Sequence, residues 1–138
     1  SQLKLEITET TLIENAELVR DVLLDLKTLD ISLAIDDFGT GYSSLSYLNQ
    51  FPIDTLKIDK SFVNHMNSSE DSYKIIHVIS TLAHTLGMTL VAEGIEEEEQ
   101  MTALQKLGCH TGQGYLFSKP LASDAAEEYI RKEGPPLV

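Results

Sequence analysis

The sequence predicts an α/β fold in which five β/α units form part of a parallel barrel, a partial (β/α)8 TIM-type arrangement. Strand-like and helix-like periodicities alternate five times along 138 residues. Each of the first four strands has one largely apolar face. On the opposite face each strand ends in an acidic residue: Glu6, Asp36, Asp59 and Glu93. A doubly wound open sheet would bury both faces under helices and make both apolar. One apolar face and one acid-tipped face suit a barrel, whose catalytic rim lies at the carboxyl ends of the strands.

The elements follow in order. The first strand is expected over 3–8, and a helix over 15–29. Asn15 is its candidate N-cap, and Leu18, Val19, Val22, Leu26 and Leu29 form its apolar stripe. The second strand spans 32–36 and leads into Asp37-Phe38-Gly39-Thr40-Gly41 and a short helix over 43–49. Pro52 breaks the chain before a third strand over 55–59. A short helix is expected over 61–66, then a long one over 71–86. Ile75, Ile76, Ile79, Leu82, Ala83 and Leu86 point inward there, and Gly87 ends the helix. The fourth strand spans 89–93, a helix spans 97–107, the fifth strand lies within 111–117, and a last helix spans 123–132. Residues 134–138 are expected to be a frayed tail.

Composition narrows the function. The net charge of −12, from 22 acidic and 10 basic residues, disfavours nonspecific DNA or RNA binding. Cys109 is the single cysteine, so no internal disulfide forms, and a reducing, cytoplasmic setting is expected. Cys109 has no His or Asn constellation that would make it a nucleophile. No apolar run is long enough to span a bilayer. His65, His77, His84 and His110 lack metal-ligand spacing and read as surface or packing groups. The Glu96–Glu99 run suits the start of a helix.

Acids converging on one rim repel, and divalent cations relieve that repulsion. Carboxylate oxygens suit Mg²⁺ or Mn²⁺. A metal-dependent hydrolase of a phosphate ester is therefore the first functional reading. The competing reading has Glu6, Asp59 and Glu93 capping helices or pairing with Lys57 at the ends of purely structural strands.

Five ordered segments carry a resemblance. They are Leu5-Glu6-Ile7-Thr8-Glu9, Asp36-Asp37-Phe38-Gly39-Thr40-Gly41-Tyr42-Ser43-Ser44-Leu45, Lys57-Ile58-Asp59, Val91-Ala92-Glu93-Gly94-Ile95-Glu96, and Gln113-Gly114-Tyr115-Leu116-Phe117 before Pro120. Together they resemble the EAL domains, bacterial cyclic-di-GMP phosphodiesterases. The resemblance implies roles. Glu6 would bind a first metal, Asp36 would be shared by two metals, and Asp37 would bind the second. Glu93 would serve the second metal directly or through water. Lys57 would hold the attacking water, and Gln113 would line the same water and phosphate region. Glu9 would anchor the loop from Asp37 to Ser43, or else cap the following helix. Phe38, Gly39, Thr40 and Gly41 would form the substrate loop. Asp59 reads as an ion-pair partner of Lys57 rather than a ligand. Phe38, Tyr42 and Tyr115 read as packing groups.

The Glu-Ala-Leu string that names the family is absent, as is its asparagine ligand; both belong on earlier strands. A full barrel takes about 250 residues and eight strands. The expectation is therefore that residues 1–133 are the C-terminal part of an EAL domain, roughly its last five β/α units. The parent would carry sensory or GGDEF-type domains and could be membrane-anchored through other regions. The isolated chain is expected to hydrolyse little cyclic-di-GMP and to self-associate through open strand edges. The alternative function is a non-catalytic cyclic-di-GMP-binding receptor or scaffold module.

Overall fold

The computed structural model describes residues 3–14, 16–41 and 48–133. Five parallel strands form one sheet: β1 (Lys4–Thr8), β2 (Ser32–Phe38), β3 (Thr55–Ile58), β4 (Thr89–Glu93) and β5 (Thr111–Gln113). The helices are α1 (Glu9–Glu14), α2 (Ala16–Thr28), α3 (Lys60–His65), α4 (Glu70–Leu86), α5 (Glu98–Lys106) and α6 (Ser123–Glu133). Each strand pairs with the next in sequence, in the order β1-β2-β3-β4-β5. A doubly wound sheet reverses its order at a switch point; this sheet does not. Asn15, Tyr42, most of the helix expected over 43–49, and the tail at 134–138 lie outside the described residues.

The core follows from strand parity. Leu33 and Ile35 of β2, Leu56 and Ile58 of β3, and Leu90 and Ala92 of β4 are buried. They join one cluster with Leu12, Leu23, Val63, Ile76, Ile79, Ala83 and Leu104 from the helices. Removing one such side chain from water is worth about 1.5–3 kcal/mol. That burial fixes the register, because a slip by one residue would turn every core side chain to the other face.

Two helix faces differ from expectation. In α2 the buried residue is Leu23, with Val19 and Leu26 packed beside it, while Leu18, Val22 and Leu29 are exposed. The sequence is apolar on two adjoining stripes, and only packing selects the one that turns inward. In α4 Ile76, Ile79 and Ala83 are buried, but Ile75 is exposed. The helix α1 has no sequence-based precedent: it follows β1 without a turn and contributes Leu12 to the core. The expected end signal of α4 is present, since Gly87 adopts φ 69° and its N–H donates to the Ala83 and His84 carbonyls. No helix among the described residues is long and apolar enough to cross a membrane.

The entrance to β3 is held by Asp54, which sequence reading missed. Its Oδ2 accepts from Leu33 N at 2.8 Å, and both carboxylate oxygens accept from Lys27 Nζ at 2.8 and 2.7 Å. Its backbone N–H donates to Leu33 O at 3.0 Å, and its carbonyl accepts from Thr89 N at 2.8 Å. One residue thus ties β2, β3, β4 and α2 together. Burial pushes the Asp54 carboxyl upward, but hydrogen bonds from Lys27 and Leu33 N more than offset it, so the group is held below the usual range. Its stabilisation is therefore complete above about pH 4 and is lost as pH falls through the lowered value. Asp54→Ala should lower the unfolding free energy by about 1–2 kcal/mol at pH 7. Urea titrations should show the gap from wild type closing toward pH 3; a gap that persists there would contradict this account.

Candidate active site at the carboxyl ends of the strands

Parallel pairing brings the candidate residues to one rim. Register sets Glu6 opposite Ala34, Thr8 opposite Asp36, Lys57 opposite Val91, and Glu93 opposite Gln113. Adjacent residues of a regular strand point to opposite faces, which would separate Asp36 from Asp37. A register irregularity solves this. Ile35 pairs with Leu56 and Phe38 with Ile58, so β2 carries one extra residue at this point. Asp37 takes φ 53°, a left-handed conformation that Asp tolerates better than most residues. As a result, carboxylate oxygens of Asp36, Asp37 and Glu93 lie within 4.8 Å of one another.

Lys57 sits at the centre. It is only 6% exposed. Its Nζ lies 2.7 Å from Glu6 Oε2, 2.9 Å from Asp36 Oδ1 and 2.6 Å from Glu93 Oε1. Burial opposes the ammonium charge, but hydrogen bonding to Glu6, Glu93 and Asp36 raises its pKa well above the ordinary lysine value. Lys57 is therefore a fixed cation at neutral pH. The Asp37 carboxyl is also held above its ordinary value: burial, the charges of Asp36 and Asp59, and a hydrogen bond with Asp59 all raise it, against a lowering by Lys57. Glu93 Oε1 also accepts from Gln113 Nε2 at 2.8 Å.

The donor set suits a divalent cation. Among the described residues, the buried Asp36 Oδ1 has Lys57 Nζ, at 2.9 Å, as its partner. A carboxylate oxygen carries two lone pairs, so one contact leaves the other for a cation. That lone pair and the neighbouring Asp37 and Glu93 oxygens are hard donors of the kind Mg²⁺ and Mn²⁺ take. Glu6 reaches Lys57 but stands outside this three-carboxylate group among the described residues.

The loop after β2 is held from beneath. Glu9, the first residue of α1, is buried, and its Oε2 accepts from Gly39 N at 3.0 Å. Gly39 has φ 97°, and a Cβ there would meet Ile79 and Phe62 at 3.1 Å, so a side chain would be both strained and crowded. Thr40 Oγ1 donates to Asp37 O at 2.8 Å, closing the turn. Phe38 is buried and packs in the core, and Gly41 lies beside the Glu9 carboxylate.

The structure corrects two expectations. Asp59 does not pair with Lys57 among the described residues; it is the N-cap of α3 and accepts from Ser61 N at 3.0 Å and from the Ser61 hydroxyl. The strand ends at Ile58, so Asp59 has left the pleat and its parity with Lys57 no longer applies. Tyr115 is not a packing group: it is 59% exposed, in a turn beyond β5, with Lys119 Nζ 5.6 Å from its ring centroid. Cys109 is buried, and burial pushes its thiol up to about 11, which disfavours the thiolate a nucleophile needs. The four histidines lie on the surface. Sequence reading also missed Gln100, which is buried and bonds to the turn after Glu93. Its signal was the Glu97-x-x-Gln100 spacing of a helix-start capping pattern.

Comparison with known proteins completes the picture. The cyclic di-GMP phosphodiesterase NbdA of Pseudomonas aeruginosa is 44% identical over 129 residues, covering 94% of this chain and 16% of NbdA. The crystal structure of the EAL domain of Mycobacterium smegmatis DcpA matches with a TM-score of 0.87 and 41% identity, covering 96% of this chain and 60% of that one. Klebsiella pneumoniae BlrP1, in a complex with manganese and cyclic di-GMP, matches with a TM-score of 0.79 and 40% identity, covering 86% of this chain and 30% of that one. The chain thus spans less than two thirds of each. Its parallel sheet and alternating helices match part of the barrel-like EAL fold. The EAL domain profile matches residues 1–120, and the chain belongs to the EAL domain family.

Proposed function

We propose that the chain carries most of the metal-binding and water-positioning residues of a cyclic-di-GMP phosphodiesterase, which opens the cyclic dinucleotide to linear pGpG. One observation carries this reading. The Asp36, Asp37 and Glu93 carboxylates converge beside Lys57, on the rim of a chain whose relatives include cyclic di-GMP phosphodiesterases. Mg²⁺ or Mn²⁺, when bound, would supply positive charge to the phosphate oxygens and acidify an attacking water.

The chain's own residues would do the rest. Asp36 would be shared by two cations, Asp37 and Glu93 would serve one, and Glu6 the other. Lys57, fixed in its protonated state, would orient the water and the phosphate by charge rather than accept a proton. Gln113, already hydrogen-bonded to Glu93, would hold that carboxylate in one orientation and line the phosphate region. Glu9 would keep the 37–41 turn closed through Gly39 N. We assign α6, beyond residue 120, to the same domain, supported by the hydrogen bond from Tyr129 Oη to Phe117 O at 3.4 Å.

The test replaces the matching segment of NbdA with this chain. In Mn²⁺ the chimera should convert cyclic-di-GMP to pGpG on chromatography. Lys57→Ala in that chimera should reduce kcat by about 10²-fold or more, the scale of a lost oriented electrostatic group. Binding of cyclic-di-GMP without pGpG would instead make the domain a receptor, and no binding would make it a scaffold. By itself, the 138-residue chain should turn over little substrate.

Self-association is expected as well. β1 and β5 are the terminal strands of the sheet, and Leu3, Tyr115 and Phe117 near those edges are exposed. Unpaired edges invite strands of another chain. Light scattering should report dimers or larger species that weaken on dilution; a monomer at all concentrations would refute this.

A further inference from the structure

The turn that follows Glu93 is held by a residue outside the family-resembling segments. Gly94 leaves β4 with φ 72°, and a Cβ there would lie 2.6 Å from Lys60 Cβ, so the turn rests directly on α3. On one side Ile95 is tied to the β5 end: its N–H donates to Gln113 O at 3.1 Å, and its carbonyl accepts from Leu116 N at 3.0 Å. On the other side stands Gln100, which is 4% exposed. Gln100 Oε1 accepts from Glu96 N at 2.8 Å and from Glu97 N at 3.0 Å, and its Nε2 donates to Val63 O of α3 at 3.2 Å. The helix α3 begins at the Asp59 cap, two residues after Lys57.

We infer that Gln100 is a positioning residue: by bridging the 94–97 turn to α3, it sets the Glu93 carboxylate against Lys57 and the Asp36–Asp37 pair. A helix cap alone would need only the acceptor arm of its side chain. The donor arm to Val63 O joins the segment after Lys57 to the segment after Glu93. Those two residues form the 2.6 Å ion pair at the centre of the rim. Two buried polar arms that both find partners hold one geometry, and losing either leaves a buried group unsatisfied.

The variants discriminate the two roles. Gln100→Glu keeps the acceptor for Glu96 and Glu97 N–H but sets a carboxylate oxygen against the Val63 carbonyl. Gln100→Ala removes both arms, and Gln100→Met replaces it should Gln100→Ala fail to fold. Ser69→Ala removes the cap of α4, where Ser69 Oγ accepts from Ser72 N, and serves as a control for lost capping alone. The first readout is solvent exchange of the Lys57 ammonium protons, followed by nitrogen-15 NMR in the metal-free chain. The second is Mn²⁺ affinity by calorimetry, which rests on the proposed function. Both Gln100→Ala and Gln100→Glu should speed the Lys57 exchange and weaken Mn²⁺ by about tenfold, the usual scale for groups that orient ligands. Ser69→Ala should do neither. A wild-type chain that ignores Mn²⁺ while its Lys57 signal responds to Gln100→Glu would sink the metal reading and leave the positioning role standing. A Lys57 signal unchanged by Gln100→Glu would reduce Gln100 to a cap and overturn the inference.

Discussion

The contact on which the rim depends is the buried ammonium of Lys57 among Glu6, Asp36 and Glu93. Carboxylates gathered this closely repel one another. Lys57 supplies a counter-charge at 2.7, 2.9 and 2.6 Å. It reaches carboxylates from β1, β2 and β4 because its own strand lies between the latter two. Its inward direction is not set by charge. Leu56 and Ile58, its neighbours on β3, are fully buried on the helix-facing side, so the pleat turns Lys57 the other way. Apolar burial worth several kcal/mol therefore aims a charge whose net electrostatic worth is smaller and less certain in sign.

The remaining geometry departs from regular structure at defined points. An ideal strand would have split Asp36 from Asp37; the extra residue in β2 and the left-handed Asp37 bring them together. Such conformations cost about 1–3 kcal/mol each and persist only where their surroundings over-determine them. The surroundings here are Glu9 on Gly39 N, Thr40 on Asp37 O, and Phe38 locked in the core on the far side of the turn. The strain thus sits where carboxylates must be adjacent, while the pleated remainder of the sheet stays regular.

What could be read from the sequence was what repeats. Alternation in 32–36, 55–59 and 89–93 gave the strands, their apolar faces and the direction of Lys57 and Glu93. What could not be read depended on a partner distant in the chain. Asp54 bonds to Leu33 and Lys27, which leaves no periodic trace, and the capping spacing at Glu97 shows one arm of Gln100 but not the arm that bonds to Val63. Asp59 was assigned to Lys57 on parity, but parity ends where the strand ends, and the start of α3 claimed its carboxylate. The inward face of α2 is not legible in the sequence, because Leu18, Val22 and Leu29 make as good a stripe as Val19, Leu23 and Leu26. The sheet it packs on makes the choice, and that sheet is built from other segments.

Charge on two length scales explains how so acidic a chain could hold a phosphate ligand. A net charge of −12 should repel a dinucleotide, but surface charges beyond about 8 Å are largely screened at physiological salt. At the rim the charges stand closer together than that. There, among the described residues, Glu6, Asp36, Asp37 and Glu93 gather about Lys57, an excess of acidic over basic side chains. A phosphate diester could be held only if added cations reversed that sign. The Asp36, Asp37 and Glu93 carboxylates are the groups able to recruit them. The excess of acid at the rim is thus compatible with an anionic ligand, because Lys57 keeps the acids assembled where a cation could join them.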